Sequence, residues 1–583
     1  MSHRICPLLL CVFIASIYVI VYSLATKSVP LWLYTAFSVL CGASIAFLLT
    51  LSSKQQGRNF IYLSIVILAL VLWNFHTIAT RYHLVAFYDC YQELVHLKLI
   101  LTNGHVDIGA RYPELGVGPG FSPDYPLFSI LASSFALITG LGPLNVGILL
   151  PSICGTLLFL STLLFVRRLL TTSNVRHVAV PLALLMFAVS PDMVYASTHF
   201  YHRELSLGLC FLLLYFLVRR FLGELSFPSA LLLMLLLLVL PLTHSAYPSV
   251  YIVFTLSLAV ITTLVHTLNK RLKIFNLKTG MRPVLLSSIT IFVVGFLWNF
   301  MLNYPSPVSN AFRGYLRDLL SPRYEVRDIT RFQAQAAPVL PSVLRPEPWI
   351  FLLPLRDLML IAPLPIVGLF LLYKLLRKRL NEGEELFALL SMASFVPMIL
   401  SDYIAGWYPL FFRYYAFPLV AYSAGLFYAS LVKLKAKVAK GMVSIIVTFL
   451  VSMAFLSPFW HIYYPRQLYD PEVEWKEVGF PHPSYINFKD FIETHGPVDK
   501  LILSDFRQLL ITMLPIEKLN LIRCVSQHYG EHDTVIVEFV GLNPVLGYGS
   551  PDIVEKMNSI RTSINSKYCR VLDSKPYSMY YKP

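Results

Sequence analysis

Three side chains that could carry out acid–base chemistry lie close together between Phe87 and Gly104. Since this segment has no proline or glycine before Gly104, it is predicted to be a helix that ends at that glycine. Asp89, Glu93 and His96 are spaced i, i+4 and i+7, so they fall on one face of the helix. Two carboxylates and an imidazole on one face could remove a proton or bind a cation. The same pattern is also typical of the solvated polar face of an amphipathic surface helix.

A second polar segment, from Gly116 to Pro126, leads into an apolar block. Its prolines predict a kinked junction between a loop and a helix, and such a junction could leave backbone amides free to bind an anion. A plain turn is the alternative interpretation. The glycines of this segment match neither a P-loop nor a dinucleotide-binding spacing.

A third polar segment, His202-Arg203-Glu204, lies at the start of a strongly apolar helix. A carboxylate in this position could simply complement the positive end of the helix dipole. Alternatively, His202 and Glu204 could join Asp89 around a divalent cation such as Mg²⁺ or Mn²⁺.

Two more residues stand out because they are polar groups inside or beside apolar blocks. His244 lies in a very short connection within apolar sequence, where an imidazole is costly unless it has a partner or lines a cavity. Arg413 lies near the start of another apolar block and could hold a phosphate through two parallel hydrogen bonds. Its alternative role is that of an interfacial arginine beside an aromatic belt.

The composition identifies the kind of element that must position these residues. The chain has 583 residues, of which 56% are hydrophobic and 14% are charged, whereas soluble chains average about 25% charged residues. Its apolar residues form blocks of about 17–25, the length that crosses a hydrocarbon core of about 30 Å as a helix. The ten-residue alternation of a membrane β-barrel is absent from the sequence. These features exclude a soluble globular protein and a disordered one, and they predict an α-helical polytopic membrane protein.

The apolar blocks alternate with basic connections, and this alternation predicts the topology. The net charge of +15 reflects lysines and arginines in short loops, a pattern that indicates contact with anionic lipid rather than with nucleic acid. From Arg167 onward the basic clusters fall at every second connection, so they are predicted to be cytoplasmic. Counting 124–166 as one net crossing gives about thirteen transmembrane helices, with the N-terminus in the cytoplasm. The apolar blocks are 5–24, 30–51, 59–79, 124–166, 177–194, 204–222, 228–243, 246–266, 283–303, 358–376, 385–402, 410–432 and 441–460.

This topology divides the chain into a transmembrane domain, residues 1–460, and an extracytoplasmic region, residues 461–583. Loops 80–123 and 304–357 are predicted to lie on the same outer side. At the end of the second loop, Arg356 and Asp357 are expected at the depth of the lipid headgroups. After 461 the composition changes to short apolar strands, at 500–504 and 534–538, alternating with helix-like stretches near 484–495 and 551–561. This alternation predicts a small α/β domain.

All the unusual polar residues therefore fall at helix ends on the outer side, whereas a transporter would bury such groups at the bilayer midplane. The order of these parts resembles the GT-C superfamily of integral-membrane glycosyltransferases. The resemblance rests on Asp89-Cys-Tyr-Gln-Glu93, Asn103-Gly104 and Asp124-Tyr125-Pro126, on the acidic segment that ends at Glu204, and on the long outer loop 304–357. Two features depart from the family. The W-W-D-Y-G motif of oligosaccharyltransferases is absent from the sequence, and an extra apolar hairpin, 5–51, precedes the usual first helix.

The resemblance implies a function and a set of roles. The donor would be a sugar linked to a polyprenyl phosphate or pyrophosphate, and the acceptor would be a glycan, a lipid or a protein. Asp89, with Glu93, would be catalytic. Arg413, His244, Arg203 and Tyr125 would contact the donor phosphate or the substrate. A divalent cation held by Asp89, Glu204 and His202 would be the one possible cofactor.

Three other functions stay open at this stage. A lipid-linked glycan polymerase or ligase also acts outside the membrane and depends on arginine-rich outer loops. Loop 304–357 carries Arg313, Arg317, Arg323, Arg327, Arg331 and Arg345. A transporter or flippase would predict an internal repeat, which the block lengths do not show. The third possibility is a non-catalytic scaffold whose outer domain binds a partner.

Overall fold

The computed structural model describes residues 88–106, 108, 124–171, 173–190, 202–244, 246–272, 281–301, 353–405, 409–434 and 437–462, together with five strands between 502 and 581. The predicted blocks 5–24, 30–51 and 59–79, and nearly all of loop 304–357, lie outside these residues. The helices are α1 Tyr88–Asn103, α2 Pro126–Thr139, α3 Pro143–Leu169, α4 Arg176–Ala188, α5 His202–Phe221, α6 Phe227–Val239, α7 Ala246–Leu272, α8 Met281–Met301, α9 Leu353–Ile361, α10 Pro363–Leu376, α11 Glu382–Ala405, α12 Pro409–Lys433 and α13 Lys437–Ile462. A 3₁₀ turn, Leu240–Leu242, follows α6.

The predicted interruption of block 124–166 is a sharp break between α2 and α3. Gly140 ends α2 in the left-handed conformation, with φ of 69°, and Pro143 begins α3. With 14 residues, α2 is about 21 Å long, which is too short to cross a hydrocarbon core. With 27 residues, α3 is about 40 Å long and can cross it. Only α3 therefore has the length of a crossing, as the sequence predicts for this block.

The core of the helical region lies where α3 packs along α5 and α4 packs along α12. The second pair approaches closely because Gly425 of α12 lies against Ala179 and Ala183 of α4, where a side chain would not fit. The outer faces of α6, α7 and α8 expose large apolar side chains such as Leu231 and Phe292, as expected of helices that contact lipid. Within the described residues, four helical segments have the length and composition to cross a membrane: Pro143–Leu169, Val250–Leu268, Leu358–Leu376 and Ala416–Lys433.

One end of the helical bundle is joined by charged side chains, and we call it the basic end. Arg168, at the end of α3, forms an ion pair with Glu224 after α5 and another, at 3.3 Å, with Glu382 at the start of α11. Lys374 of α10 pairs with Glu384 of α11 at 2.5 Å. Several connections predicted to be cytoplasmic therefore meet at one end, and the charge pattern correctly predicted that they share a side.

The predicted span 358–376 is confirmed as the helical segment Leu358–Leu376. Helices α9 and α10 meet at Ala362, which keeps a helical backbone, with φ of −55° and ψ of −32°, before Pro363. Arg356, expected among the lipid headgroups, is buried in α9, which packs against α12 and α13. Its side chain is therefore surrounded by protein, and its depth in the membrane stays a prediction.

The C-terminal region contributes a five-stranded mixed sheet. Its strands are β1 Ile502–Ser504, β2 Ile522–Arg523, β3 Val535–Phe539, β4 Cys569–Ser574 and β5 Tyr577–Tyr581. Their order is β2-β1-β3-β5-β4, with β1 parallel to β2 and β3, and β5 antiparallel to β3 and β4. The strands predicted at 500–504 and 534–538 correspond to β1 and β3. The helices predicted near 484–495 and 551–561 lie outside the described residues.

Candidate functional site

Helix α1 carries the first group of candidate residues, and its limits agree with the prediction. It runs from Tyr88 to Asn103, and Gly104 follows with a φ of 74°. The Gly104 amide donates a hydrogen bond of 2.9 Å to the carbonyl of Ile100. A glycine is suited to this left-handed position because it has no Cβ. The helix therefore ends at the position that the sequence predicts.

The polar face of α1 is buried rather than solvated. Glu93 is 2% exposed and His96 is 1% exposed, and both lie among the buried apolar residues Leu94, Val95 and Leu97. The interpretation of this face as a solvated surface is therefore wrong for these two residues. Burial of a carboxylate and an imidazole is costly unless hydrogen bonds or charges compensate for it. Two such residues within one helical turn are therefore candidates for a functional site.

A hydrogen bond joins His96 to the next helix. His96 Nδ1 and Ser129 Oγ of α2 lie 3.1 Å apart, and both side chains are buried. This bond connects residues 33 positions apart and fixes the orientation of the imidazole. It also places the polar face of α1 against α2, the helix that begins just after Tyr125.

Tyr125 and His244, both predicted to contact substrate, meet in the structure. Their rings are stacked, with centroids 6.2 Å apart and planes 16° apart. His244 also meets the edge of the Tyr247 ring at 5.0 Å. The indole N–H of Trp298, in α8, donates a hydrogen bond of 2.9 Å to the carbonyl of Asp124. Aromatic rings thus pack against His244 from two directions.

Glu204 lies in the first turn of α5 and is 3% exposed. It is close enough to Cys154 of α3 for the two groups to interact electrostatically. Two residues further on, the Ser206 hydroxyl donates a hydrogen bond of 2.5 Å to Thr243 Oγ1. Because Thr243 precedes His244, the helix turn that carries Glu204 is directly linked to the connection that carries His244. The position of Glu204 also suits the alternative role of complementing the helix dipole.

The candidate residues lie on helices that contact one another, or directly beside them. Helix α1 contacts α2 and α3, and α5 also contacts α2 and α3. The residues concerned are Glu93, His96, Tyr125, Glu204 and His244. We call this region the site end, because it lies opposite the basic end. Helix α5 shows the opposition directly, since it begins beside Glu204 and ends three residues before Glu224.

Four candidate residues have a known place in the fold but side chains outside the described residues. Asp89 is in the first turn of α1, one turn before Glu93. His202 and Arg203 begin α5, and Arg413 is in the second turn of α12. In the part of the chain that can be searched, no three His, Cys, Asp or Glu side chains form a group that could hold a metal ion. The cation site, which requires Asp89 and His202, stays a prediction.

Sequence reasoning missed Ser129, Ser206, Thr243 and Trp298, which hold the site together. A small hydroxyl residue in an apolar helix often bonds only to its own backbone, as Ser161 does with Leu157. The sequence alone does not distinguish the two situations. The one available signal is that Thr243 directly precedes the unusual His244.

Two solved structures are similar to this chain over most of its length. The crystal structure of ArnT from Cupriavidus metallidurans bound to undecaprenyl phosphate matches with a TM-score of 0.50 and 12% identity, over 91% of this chain and 98% of ArnT. The crystal structure of the Archaeoglobus fulgidus oligosaccharyltransferase, tethered to an acceptor peptide with the NVT sequon, matches with a TM-score of 0.50 and 12% identity, over 84% of this chain and 70% of that one. No family model and no curated protein matches the sequence. The apolar helices and these neighbours indicate an integral membrane protein. The chain shares its fold with the two solved structures, as the resemblance implies for the fold.

Proposed function

We propose that this GT-C-fold membrane protein is a glycosyltransferase that moves a sugar from a polyprenyl-phosphate donor to an acceptor on the extracytoplasmic face. The observation that carries the proposal is the set of buried polar residues at the site end, contributed by α1, α2, α5 and the connection between α6 and α7. Buried ionisable groups that converge from separate elements are typical of active sites. A protein that only anchored a domain would need no such groups there.

The proposed donor rests on the fold and on the surroundings of the site. ArnT shares this fold and was crystallised with undecaprenyl phosphate. A lipid donor also suits a site at the ends of membrane helices, because the lipid can arrive laterally while a polar acceptor arrives from outside. The oligosaccharyltransferase was solved with an acceptor peptide, so proteins, glycans and lipids all belong among the acceptors to be assayed.

In the proposed reaction Asp89 is the general base. Its carboxylate accepts the proton of the acceptor hydroxyl while that oxygen bonds to the anomeric carbon. The bond between the anomeric carbon and the phosphate oxygen breaks at the same time, and its electron pair leaves with the lipid phosphate. Glu93, one helical turn away, is the second carboxylate of the site.

The remaining candidates act on the phosphate that leaves. Arg413 and Arg203 would supply positive charge, which stabilises the negative charge that develops on the phosphate. His244 and Tyr125 would donate hydrogen bonds from their fixed, stacked arrangement. A divalent cation, if the protein uses one, would supply further positive charge at Asp89, Glu204 and His202. The extracytoplasmic orientation of this end rests on the charge pattern of the loops.

The experiment compares Asp89→Asn with a matched carboxylate variant at the basic end, Glu382→Gln. The purified protein, in vesicles that contain undecaprenyl-phosphate-linked glucose, mannose or galactose, is given membrane lipid extract as acceptor. The release of free undecaprenyl phosphate is then measured. Wild type and Glu382→Gln should release it at similar rates. Asp89→Asn should fall by about 100-fold or more, the range expected for loss of a general base.

Two results would count against this proposal. Retention of activity in a folded Asp89→Asn variant would remove Asp89 from the mechanism. Loss of activity on substitution of Arg313 or Arg317, with Asp89→Asn still active, would favour the lipid-linked polymerase or ligase instead. Thermal unfolding in detergent shows whether each variant is folded.

A further inference from the structure

We propose that Thr243 and Ser206 are positioning residues that orient His244 toward the donor phosphate. This inference rests on the proposed function and extends it to two residues that do not themselves contact the substrate. Both side chains are fully buried. Their effect is transmitted through the backbone and ring of the neighbouring His244.

The hydrogen bonds of these two residues run in one direction. Thr243 Oγ1 donates a hydrogen bond of 2.6 Å to the carbonyl of Leu240. A hydroxyl has a single proton, so the lone pairs of the same oxygen are left to accept the 2.5 Å bond from Ser206. The direction of both hydrogen bonds is therefore determined: Ser206 donates to Thr243, and Thr243 donates to the carbonyl of Leu240.

The connection that carries His244 depends on these bonds because its backbone is weakly held. It begins with the 3₁₀ turn Leu240–Leu242, whose hydrogen-bond geometry is poorer than that of an α-helix. Pro241, within this turn, has no backbone N–H to donate. The Thr243 amide does donate a bond of 3.0 Å to Leu240. The side-chain bond from Ser206 adds the link to a different helix, α5.

The ring of His244 shows what this link positions. It is stacked on Tyr125 at 6.2 Å and lies against the edge of Tyr247 at 5.0 Å. A small rotation of the connection would change the direction in which the imidazole nitrogens point. Since Ser206 and Glu204 share one turn of α5, the same hydrogen bond also keeps His244 in register with Glu204.

A purely structural role for the pair is the alternative, and the protein contains a close match for it. Thr255 of α7 and Ser288 of α8 are also buried, lie 2.5 Å apart, and bond to their own helices. That pair joins two helices, but Thr255 is three helical turns from His244. A Thr→Val substitution removes one hydroxyl of similar burial in either place, so Thr255→Val is the matched control for Thr243→Val.

The test measures the dissociation constants of two probes, undecaprenyl phosphate and undecaprenol, for the full-length protein in nanodiscs. Their ratio is the phosphate preference. We expect a clear preference in wild type and its loss in His244→Ala. Thr243→Val should lower the preference by about fivefold, the value of one hydrogen bond. Thr243→Ser keeps the hydroxyl and should stay within about twofold of wild type, as should Thr255→Val.

The outcomes separate this inference from the proposed function. If wild type shows no phosphate preference, the proposed donor is wrong and the inference fails with it. If His244→Ala loses the preference while Thr243→Val keeps it, the donor stands and the positioning role is overturned. Equal losses in Thr243→Val and Thr255→Val would also overturn it, because the effect would then be general destabilisation. If Thr243→Val does not fold, Ser206→Ala removes the same bond from the other side and decides the question.

Discussion

At the basic end of the bundle Arg168 and Glu224 pair at the protein surface, whereas at the site end Glu93 and Glu204 are buried. The side chain of Glu224 is 40% exposed, so water and ions screen its charge, and such surface pairs contribute little. The carboxylates of the site end have lost most of that water, and their charge is costly to keep there.

This contrast indicates that charged residues have different roles at the two ends of the bundle. The basic end uses charge to connect helix ends, as in the reciprocal hydrogen bonds between Asn381 and Glu384, each 3.0 Å long, at the start of α11. The basic end also buries carboxylates, Glu384 and Glu385, so burial alone does not distinguish the two ends. Glu384 is compensated by its ion pair with Lys374, which suits a structural role. For the buried carboxylates of the site end we instead predict a role in chemistry. Substitutions at the site end should therefore lower activity, and substitutions at the basic end should lower stability.

The largest expected effect comes from Glu93→Gln compared with Glu382→Gln. Both substitutions remove one negative charge with little change in shape. In the undecaprenyl phosphate release assay, Glu93→Gln should lower the rate by about 100-fold, because a buried carboxylate of the site is lost. Glu382→Gln should change the rate less than twofold. Comparable rates for the two variants would contradict the assignment of the reaction to the site end.

The second prediction concerns the close contact that joins α11 to α3 at the basic end. A Cβ on Gly383 would overlap the carbonyl oxygen of Leu169, so Gly383→Ala should destabilise the protein by about 1–3 kcal/mol. Its activity per folded molecule should be unchanged, since the site lies at the other end. Gly368→Ala is the control, because a Cβ there meets no atom within 4 Å. Thermal unfolding in detergent measures both, and an unaltered Gly383→Ala midpoint would contradict the close packing.

The smallest effect is expected at the ion pair itself. Glu224→Gln should lower the free energy of unfolding by less than about 1 kcal/mol, since Glu224 is 40% exposed and its partner Arg168 also pairs with Glu382. The difference from wild type should shrink further in high salt, because ions screen exposed charges. Unfolding midpoints at low and high salt measure this effect. A large loss that is insensitive to salt would mean that the pair of Arg168 and Glu224 behaves as a buried ion pair.

Much of the helical architecture was predictable because long apolar blocks leave few alternatives. Helices α5, α8, α12 and α13 each begin and end within four residues of a predicted block, and α7 begins at its block and ends six residues later. The stop at Gly104 and the break at Gly140 follow from the backbone freedom of glycine. The shared end of Arg168 and Lys374 follows from charge bias.

The interior of the site was less predictable for a physical reason. A face that carries Glu93 and His96 looks the same whether water or protein covers it, since periodicity records only which residues share a side. Tertiary packing decided the matter by placing α2 over α1. The pairing of Ser206 with Thr243 likewise depends on helices that are separated in sequence and meet only in the folded protein.

The hydrogen bond from Trp298 to Asp124 has a consequence for biosynthesis, because it joins residues 174 positions apart. At about 5–20 residues per second, a ribosome reaches Trp298 roughly 9–35 s after Asp124. Helices α1 to α7 have been synthesised before this donor exists. The hydrogen bond beside the stacked pair of Tyr125 and His244 can thus form only after α8 is made. A nascent chain stalled before that helix would contain both rings but would lack the Trp298 indole.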